Sequence, residues 1–143
     1  MKSHVVSLEI ARRLKDAGYP QDLGGIKWST FYNLSSPPDH HETLLNMLVI
    51  NAEIEEMKER SFLKDLHFYA APLATELLEQ LPCSIYVQKR VRKWEYWNRI
   101  ERLSHGWLIG YWCGDKCLCQ LVCKTLPDAV AEMWLHLKKE HLL

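Results

Sequence analysis

Four of the five cysteines lie between residues 113 and 123, in the pattern Cys113-x3-Cys117-x-Cys119-x3-Cys123. Zinc sites usually hold paired cysteines on tight turns, with two to four residues between the members of a pair. Three of these thiols instead fall on one predicted strand, where side chains on the same face lie about 7 Å apart. Those thiols alone cannot close a tetrahedral site. We therefore predict cysteines that pack as small apolar residues, no metal and no cofactor, with a zinc site or a redox pair as the alternatives.

Histidines are the other residues that might do chemistry. His105 is predicted to lie in a loop near Cys113, but no oxyanion hole and no group that would orient the imidazole accompany this pair. His40 and His41 follow a proline-rich break and are typical of exposed loop histidines. The sequence also lacks a phosphate-binding glycine loop, a nucleophile elbow and a His-Glu-x-x-His zinc motif. We predict no catalytic residue, which favours a protein that is not an enzyme over a small enzyme.

Residues 89–99 interleave cations with aromatic rings, as proteins that bind single-stranded nucleic acid do. Two of the rings, however, alternate as buried strand residues would, and the formal net charge of zero gives no overall attraction to nucleic acid. Nucleic-acid binding is therefore the alternative hypothesis. Its candidate residues are Lys89, Arg90, Arg92 and Lys93.

The cysteine cluster is predicted to lie on a β-hairpin that leads into an amphipathic helix. Residues 107–113 are rich in aromatic and β-branched side chains, Gly114-Asp115 is a turn, and residues 116–124 continue as a second strand. Thr125 and Pro127 are typical of a helix start. Beyond them the apolar residues recur at helical spacing, so we expect the helix to pack along the hairpin. These residues are Leu126, Val130, Met133 and Leu137.

The first half of the chain is predicted to contain two helices and a strand. The first helix begins after Ser7 and is stopped by Gly18, and residues 26–34 have the composition of a strand. Helical spacing predicts a second helix over residues 42–60, preceded by a capping box from Asp39 to Glu42. Its apolar first half is also compatible with a buried strand.

The second half is predicted to be an antiparallel meander of four strands. Residues 61–72 are ambiguous, and a short helix follows Pro72 and ends at Pro82. The strands span residues 84–88, 91–99, 106–113 and 116–124. Because helices come first, the sheet next and one helix last, we predict an α+β fold in a single domain over residues 1–143, with the C-terminal helix on one face of the sheet.

Neither face of the predicted hairpin is clearly polar. Ile109 and Tyr111 share one face, while Leu108 and Trp112 share the other. A one-sided antiparallel sheet normally alternates apolar and polar residues, so we expect both faces to be covered. The C-terminal helix would cover one face, and the N-terminal helices, a second subunit or a partner would cover the other. The candidate partner-binding rings are Trp94, Tyr96 and Trp112.

Composition and the N-terminus limit the class of protein. Hydrophobic residues make up 48% and charged residues 25%, which is typical of a globular chain and not of a disordered one. No stretch approaches the ~20 apolar residues of a membrane span. The first residues lack the apolar core and the cleavage site of a signal peptide. We therefore expect a cytoplasmic protein with reduced thiols and no membrane partner.

The chain resembles a group of small, uncharacterised proteins encoded by phages and prophages. The similar segments are Tyr69-Ala-Ala-Pro72, Glu76-Leu-Leu-Glu-Gln-Leu-Pro82, the tryptophan-rich hairpin and Thr125-Leu-Pro-Asp-Ala-Val-Ala-Glu-Met-Trp-Leu135. These segments contain helix caps, residues that end helices and core positions, so the resemblance implies no activity and no site residue. Together these observations predict a non-catalytic protein-interaction module of phage or prophage origin. Self-association is one form that this interaction could take.

Overall fold

The computed structural model describes residues 3–33, 44–60 and 63–143, which form two compact units. Among these residues, the N-terminal unit contains residues 7–72 and the C-terminal unit contains residues 3–6 and 73–143. The single domain that the sequence indicates stays a prediction.

The N-terminal unit is a three-stranded antiparallel sheet with two helices. The elements in chain order are α1 (Leu8–Asp16), β1 (Ile26–Asn33), β2 (Leu44–Ile50), α2 (Asn51–Glu59) and β3 (Leu63–Ala70). The sheet has the strand order β2-β1-β3, so β1 is the central strand.

Helix α1 is confirmed where the sequence predicts it. It follows Ser7, whose backbone is extended, and it buries Ile10, Ala11 and Leu14. Gly18 then takes a φ of +86°, a left-handed conformation that costs little only at glycine, and the helix ends.

The predicted helix over residues 42–60 is wrong in its first half. Residues 44–50 pair with β1 as strand β2, which the apolar composition of this stretch also allowed. The chain turns helical only after Ile50, where the backbone is extended and the Glu53 carboxylate accepts the Ile50 N–H at 3.0 Å. Helix α2 then buries Ile54 and Met57. The capping box predicted from Asp39 to Glu42, like the last residue of the strand predicted over 26–34, lies outside the described residues.

The C-terminal unit is a four-stranded antiparallel meander with a helix packed on it. Its elements are α3 (Ala74–Leu78), β4 (Ser84–Lys89), β5 (Arg92–Leu103), β6 (Gly106–Cys113), β7 (Lys116–Cys123) and α4 (Leu126–Lys139). The strand order β4-β5-β6-β7 follows the chain, and α4 contacts α3, β6 and β7. This confirms the predicted α+β class, the meander and its C-terminal helix.

Helix α4 begins and packs as its sequence pattern indicates. The hydroxyl of Thr125 accepts the Asp128 N–H at 3.3 Å, and Pro127 lies in the first turn, where no amide donor is needed. The side chains of Val130, Met133 and Leu137 are fully buried. Burying three such side chains stabilises the unit by about 5–9 kcal/mol before entropy is counted.

Candidate interaction surface

The two faces of the four-stranded sheet have different surroundings. Cys119 Sγ lies 3.8 Å from Met133 Sδ of α4, so the face that carries Cys119 is the covered face. Its cross-strand neighbour Tyr111 is fully buried, as is Ile109 two residues before it. Tyr111 OH donates to the Pro82 carbonyl oxygen at 2.6 Å, which satisfies its only polar group. The covered face is therefore ordinary core.

The opposite face of the same sheet, which we call the open face, exposes large apolar side chains. Trp97 pairs with Ser84 on one side and Trp112 on the other, and it is 57% exposed. Tyr86 and Val122 on the edge strands are 54% and 48% exposed. Coverage of this face by the N-terminal helices, by a second subunit or by a partner stays a prediction.

A notch at Gly110 sets the position of Trp112 on the open face. A Cβ added to Gly110 would collide with the Cys119 carbonyl oxygen and would lie 2.6 Å from the Trp112 ring. The indole therefore lies across the glycine, close to the backbone. The Arg99 guanidinium lies 5.9 Å from the centroid of that ring, within reach of a cation–π attraction.

Charged groups on the open face occur in equal numbers of each sign. Glu95 accepts hydrogen bonds from Ser84 Oγ at 2.9 Å and from Tyr86 OH at 2.6 Å, and its hydrogen bond raises the pKa of Tyr86. The Lys93 ammonium lies 4.2 Å from the centre of the Tyr86 ring. Arg99 pairs with Glu101 at 2.9 Å. The two cations and the two carboxylates balance each other, so this face has exposed aromatic rings and no net charge.

The cysteines depart from the predicted arrangement at a bulge. The register shifts between Tyr111 and Trp112, so Trp112 of the open face is level with Cys117, which is exposed. Burial raises the pKa of the Cys119 and Cys123 thiols, which disfavours the thiolate form that metal binding and nucleophilic attack require. Among the described residues, no group of three or more histidines, cysteines and acidic residues could hold a metal ion.

The predicted site residues fall into three places: the β4–β5 hairpin, the open face and the covered face. The four basic candidates lie at the β4–β5 hairpin, all of them exposed, and Arg90 takes a φ of +56° in the turn. Among the aromatic candidates, only Trp112 lies on the open face. Tyr96 is 3% exposed and belongs to the core, while Trp94 lies on the covered side with the Lys116 ammonium 4.2 Å from its ring centroid.

Trp97, Tyr86 and Val122 are surface residues that the sequence did not single out. Their signal is positional. Trp97 lies directly opposite Trp112, Tyr86 lies two residues along β4 from the residue opposite Trp97, and Val122 lies opposite Leu108, four residues along β6 from Trp112. Reading it requires the strand register, which the sequence does not supply. Trp97 also borders a surface pocket of about 270 Å³. The other residues that line this pocket are Leu78, Leu81, Pro82, Cys83 and Asn98.

Comparisons with protein-family models, with curated proteins and with solved structures found no match. None of the described helices is long and apolar enough to cross a membrane.

Proposed function

We propose that this protein is a non-catalytic protein-interaction module that binds a partner protein through the open face. The observation that carries the proposal is Trp97, a ring more than half exposed at the centre of a sheet face and next to a pocket. Phage or prophage origin and a cytoplasmic location belong to the same proposal.

The residue types of the open face support protein contact. Trp, Tyr and Arg dominate the binding energy of protein interfaces, and they cluster near the centre in water-excluding pockets. Here Trp97 and Trp112 are neighbours across β5 and β6, with Arg99 against the Trp112 ring. These rings are held by a paired sheet, so little conformational freedom is lost when they bind.

The charges of the open face define the chemistry of the partner. Glu95 and Glu101 already have hydrogen-bond or ion-pair partners, and they balance Lys93 and Arg99. A strongly charged ligand therefore gains little here. The fitting partner is a protein surface that places an apolar side chain against Trp97 and in the adjoining pocket, with a polar rim.

The test is site-specific photo-crosslinking in the cell that naturally makes the protein. A photoreactive aromatic residue in place of Trp97 is expected to capture a protein partner. The same residue in place of Val91 is the matched control, because Val91 is 96% exposed but lies in the β4–β5 turn. Purified partner should then bind the Trp97→Ala variant at least about tenfold more weakly than wild type.

Two results would contradict the proposal. One is equal capture at positions 97 and 91, which would indicate random collision. The other is a captured partner whose purified form binds the Trp97→Ala variant as tightly as wild type.

Nucleic-acid binding is the second candidate, favoured by the exposed basic β4–β5 hairpin. Its four cations are all exposed, and the Lys93 ammonium lies 4.2 Å from the centre of the Tyr86 ring. These cations are Lys89, Arg90, Arg92 and Lys93. Phosphate contacts make affinity fall steeply with salt. Labelled single-stranded and duplex oligonucleotides should therefore bind at low salt and dissociate as salt rises, and the Arg92→Glu, Lys93→Glu variant should not bind. Absence of binding at low salt would dismiss this candidate.

A further inference from the structure

Strand β7 forms an edge of the four-stranded sheet. It pairs with β6 on one side, and in the described part of the chain no strand pairs with its other side. The unpaired N–H and C=O groups of such an edge are a template for another strand. The outer side of β7 is therefore open to strand addition.

The peptide groups that face outward on β7 belong to Gln120 and Val122. The carbonyl oxygens of Cys119 and Cys123 lie against Gly110 and Gly106 of β6, so they point inward. Successive residues of a strand direct their peptide groups to opposite sides. Gln120 and Val122 thus offer two donors and two acceptors to solvent, and both side chains are exposed as well.

The sequence of β7 is itself suited to pair with this edge. Residues 117–123 contain no charge and no proline, in contrast to the edges of many sheets, where lysine or proline blocks pairing. The other edge strand, β4, runs into the basic hairpin, so two β4 edges would set like charges side by side. The zero formal net charge adds no general repulsion between copies.

The outward residues fit an antiparallel pair whose two-fold axis lies at Leu121. In this register Gln120 lies opposite Val122 of the other copy, so that both sets of outward peptide groups are satisfied reciprocally. The Gln120 and Val122 side chains then meet across the pair on the open side of the joined sheet.

We propose that a second copy of this chain binds the β7 edge, through an antiparallel β7–β7 pair with its axis at Leu121, and joins the two four-stranded sheets into one. The pair forms through the β7 backbone and not through Trp97, the ring that carries the proposed function, so the inference does not depend on that function, although Val122 belongs to both surfaces. A single strand pair buries less area than a standard protein interface, so the dimer is expected to be weak and to form in a concentration-dependent way.

The test compares two variants with altered charge at positions 120 and 122. Their dimer dissociation constants are measured by sedimentation at concentrations up to about 1 mM. Replacing both residues by lysine (Gln120→Lys, Val122→Lys) sets like charges opposite each other and should raise the dimer dissociation constant at least about tenfold. The matched variant Gln120→Glu, Val122→Lys sets opposite charges across the same pairs and should keep the constant within about threefold of wild type. Circular dichroism and thermal unfolding verify that both variants fold.

Several outcomes would overturn the inference. They are a wild-type protein that stays monomeric at every concentration, two variants that associate equally well, and growth beyond a dimer, which would indicate head-to-tail pairing of β4 with β7. A monomeric wild type that still crosslinks a partner at position 97 would reject the dimer and leave the proposed function intact.

Discussion

The covered and open faces of the four-stranded sheet are made by the same strands, but only one of them is a core. On the covered face, Tyr96, Ile109 and Tyr111 have almost no exposed surface. On the open face, Tyr86, Trp97 and Val122 are each about half exposed. The difference comes from the second layer, because α4 covers one face with its apolar stripe. The neighbouring layer therefore decides which face of the sheet is a core.

The largest expected contrast between the faces comes from truncating one large side chain on each side. Leu137→Ala, in the layer that covers the sheet, leaves a cavity in a fully buried site and should lower the free energy of unfolding by about 2–5 kcal/mol. Trp97→Ser on the open face should change it by only about 0.5 kcal/mol, as is usual for exposed positions. Urea denaturation measures both. Similar losses in the two variants would mean that the open face is also part of the core.

The Gly110 notch lies on the open face, and filling it should have an intermediate effect. Gly110→Ala introduces a methyl group against the Cys119 carbonyl oxygen and the Trp112 ring, so we expect a loss of about 1–3 kcal/mol. A second variant, Gly110→Ala with Trp112→Ala, separates the two contacts. If the contact with the Trp112 ring causes the destabilisation, the double variant should lose less free energy of unfolding than the sum of the losses in the two single variants. Additive losses would assign the strain to the carbonyl oxygen.

The smallest effect is a pH dependence that belongs to the covered face. Burial raises the pKa of Tyr111 from its ordinary value of 10.0 to about 12, and it also raises the pKa of Cys119 and Cys123. The folded state thus holds these protons more tightly than the unfolded state. The Tyr111 contribution to stability is fully present below about pH 10 and is lost as the pH rises toward 12.

Tyr111→Phe isolates this contribution. At neutral pH the variant should lose about 1 kcal/mol with the hydrogen bond to Pro82. Between about pH 10 and pH 12 its unfolding free energy should fall less steeply than that of wild type, as measured by urea denaturation across this range. Parallel curves would show that Tyr111 does not carry the dependence.

The sequence predicts well those elements whose signals are local. Helix α4 has a cap, a proline and a continuous apolar stripe, and β6 and β7 are joined by a glycine turn, so each is recognisable within about 20 residues. Helix α1 has the same kind of evidence in Ser7 and Gly18. The meander follows because neighbouring strands in the chain are neighbours in the sheet.

Elements that depend on distant partners could not be predicted in this way. Met47, Ile50, Ile54 and Met57 have helical spacing, but the first two belong to a strand whose hydrogen bonds go to β1. Strand β3 was ambiguous for the same reason, since it pairs with the other side of β1. At the candidate site, the sequence identified Trp112 but missed Trp97, because the bulge and the β5–β6 register decide which rings share a face.

The left-handed backbone of Arg90 has a consequence for protein engineering at the β4–β5 hairpin. A non-glycine residue at a φ of +56° costs about 1–2 kcal/mol of backbone energy, which glycine would avoid. Arg90→Gly should therefore stabilise the turn, and it removes one cation from the tip of the hairpin. One substitution at this position therefore lowers the backbone energy of the turn and also reduces the positive charge of the hairpin.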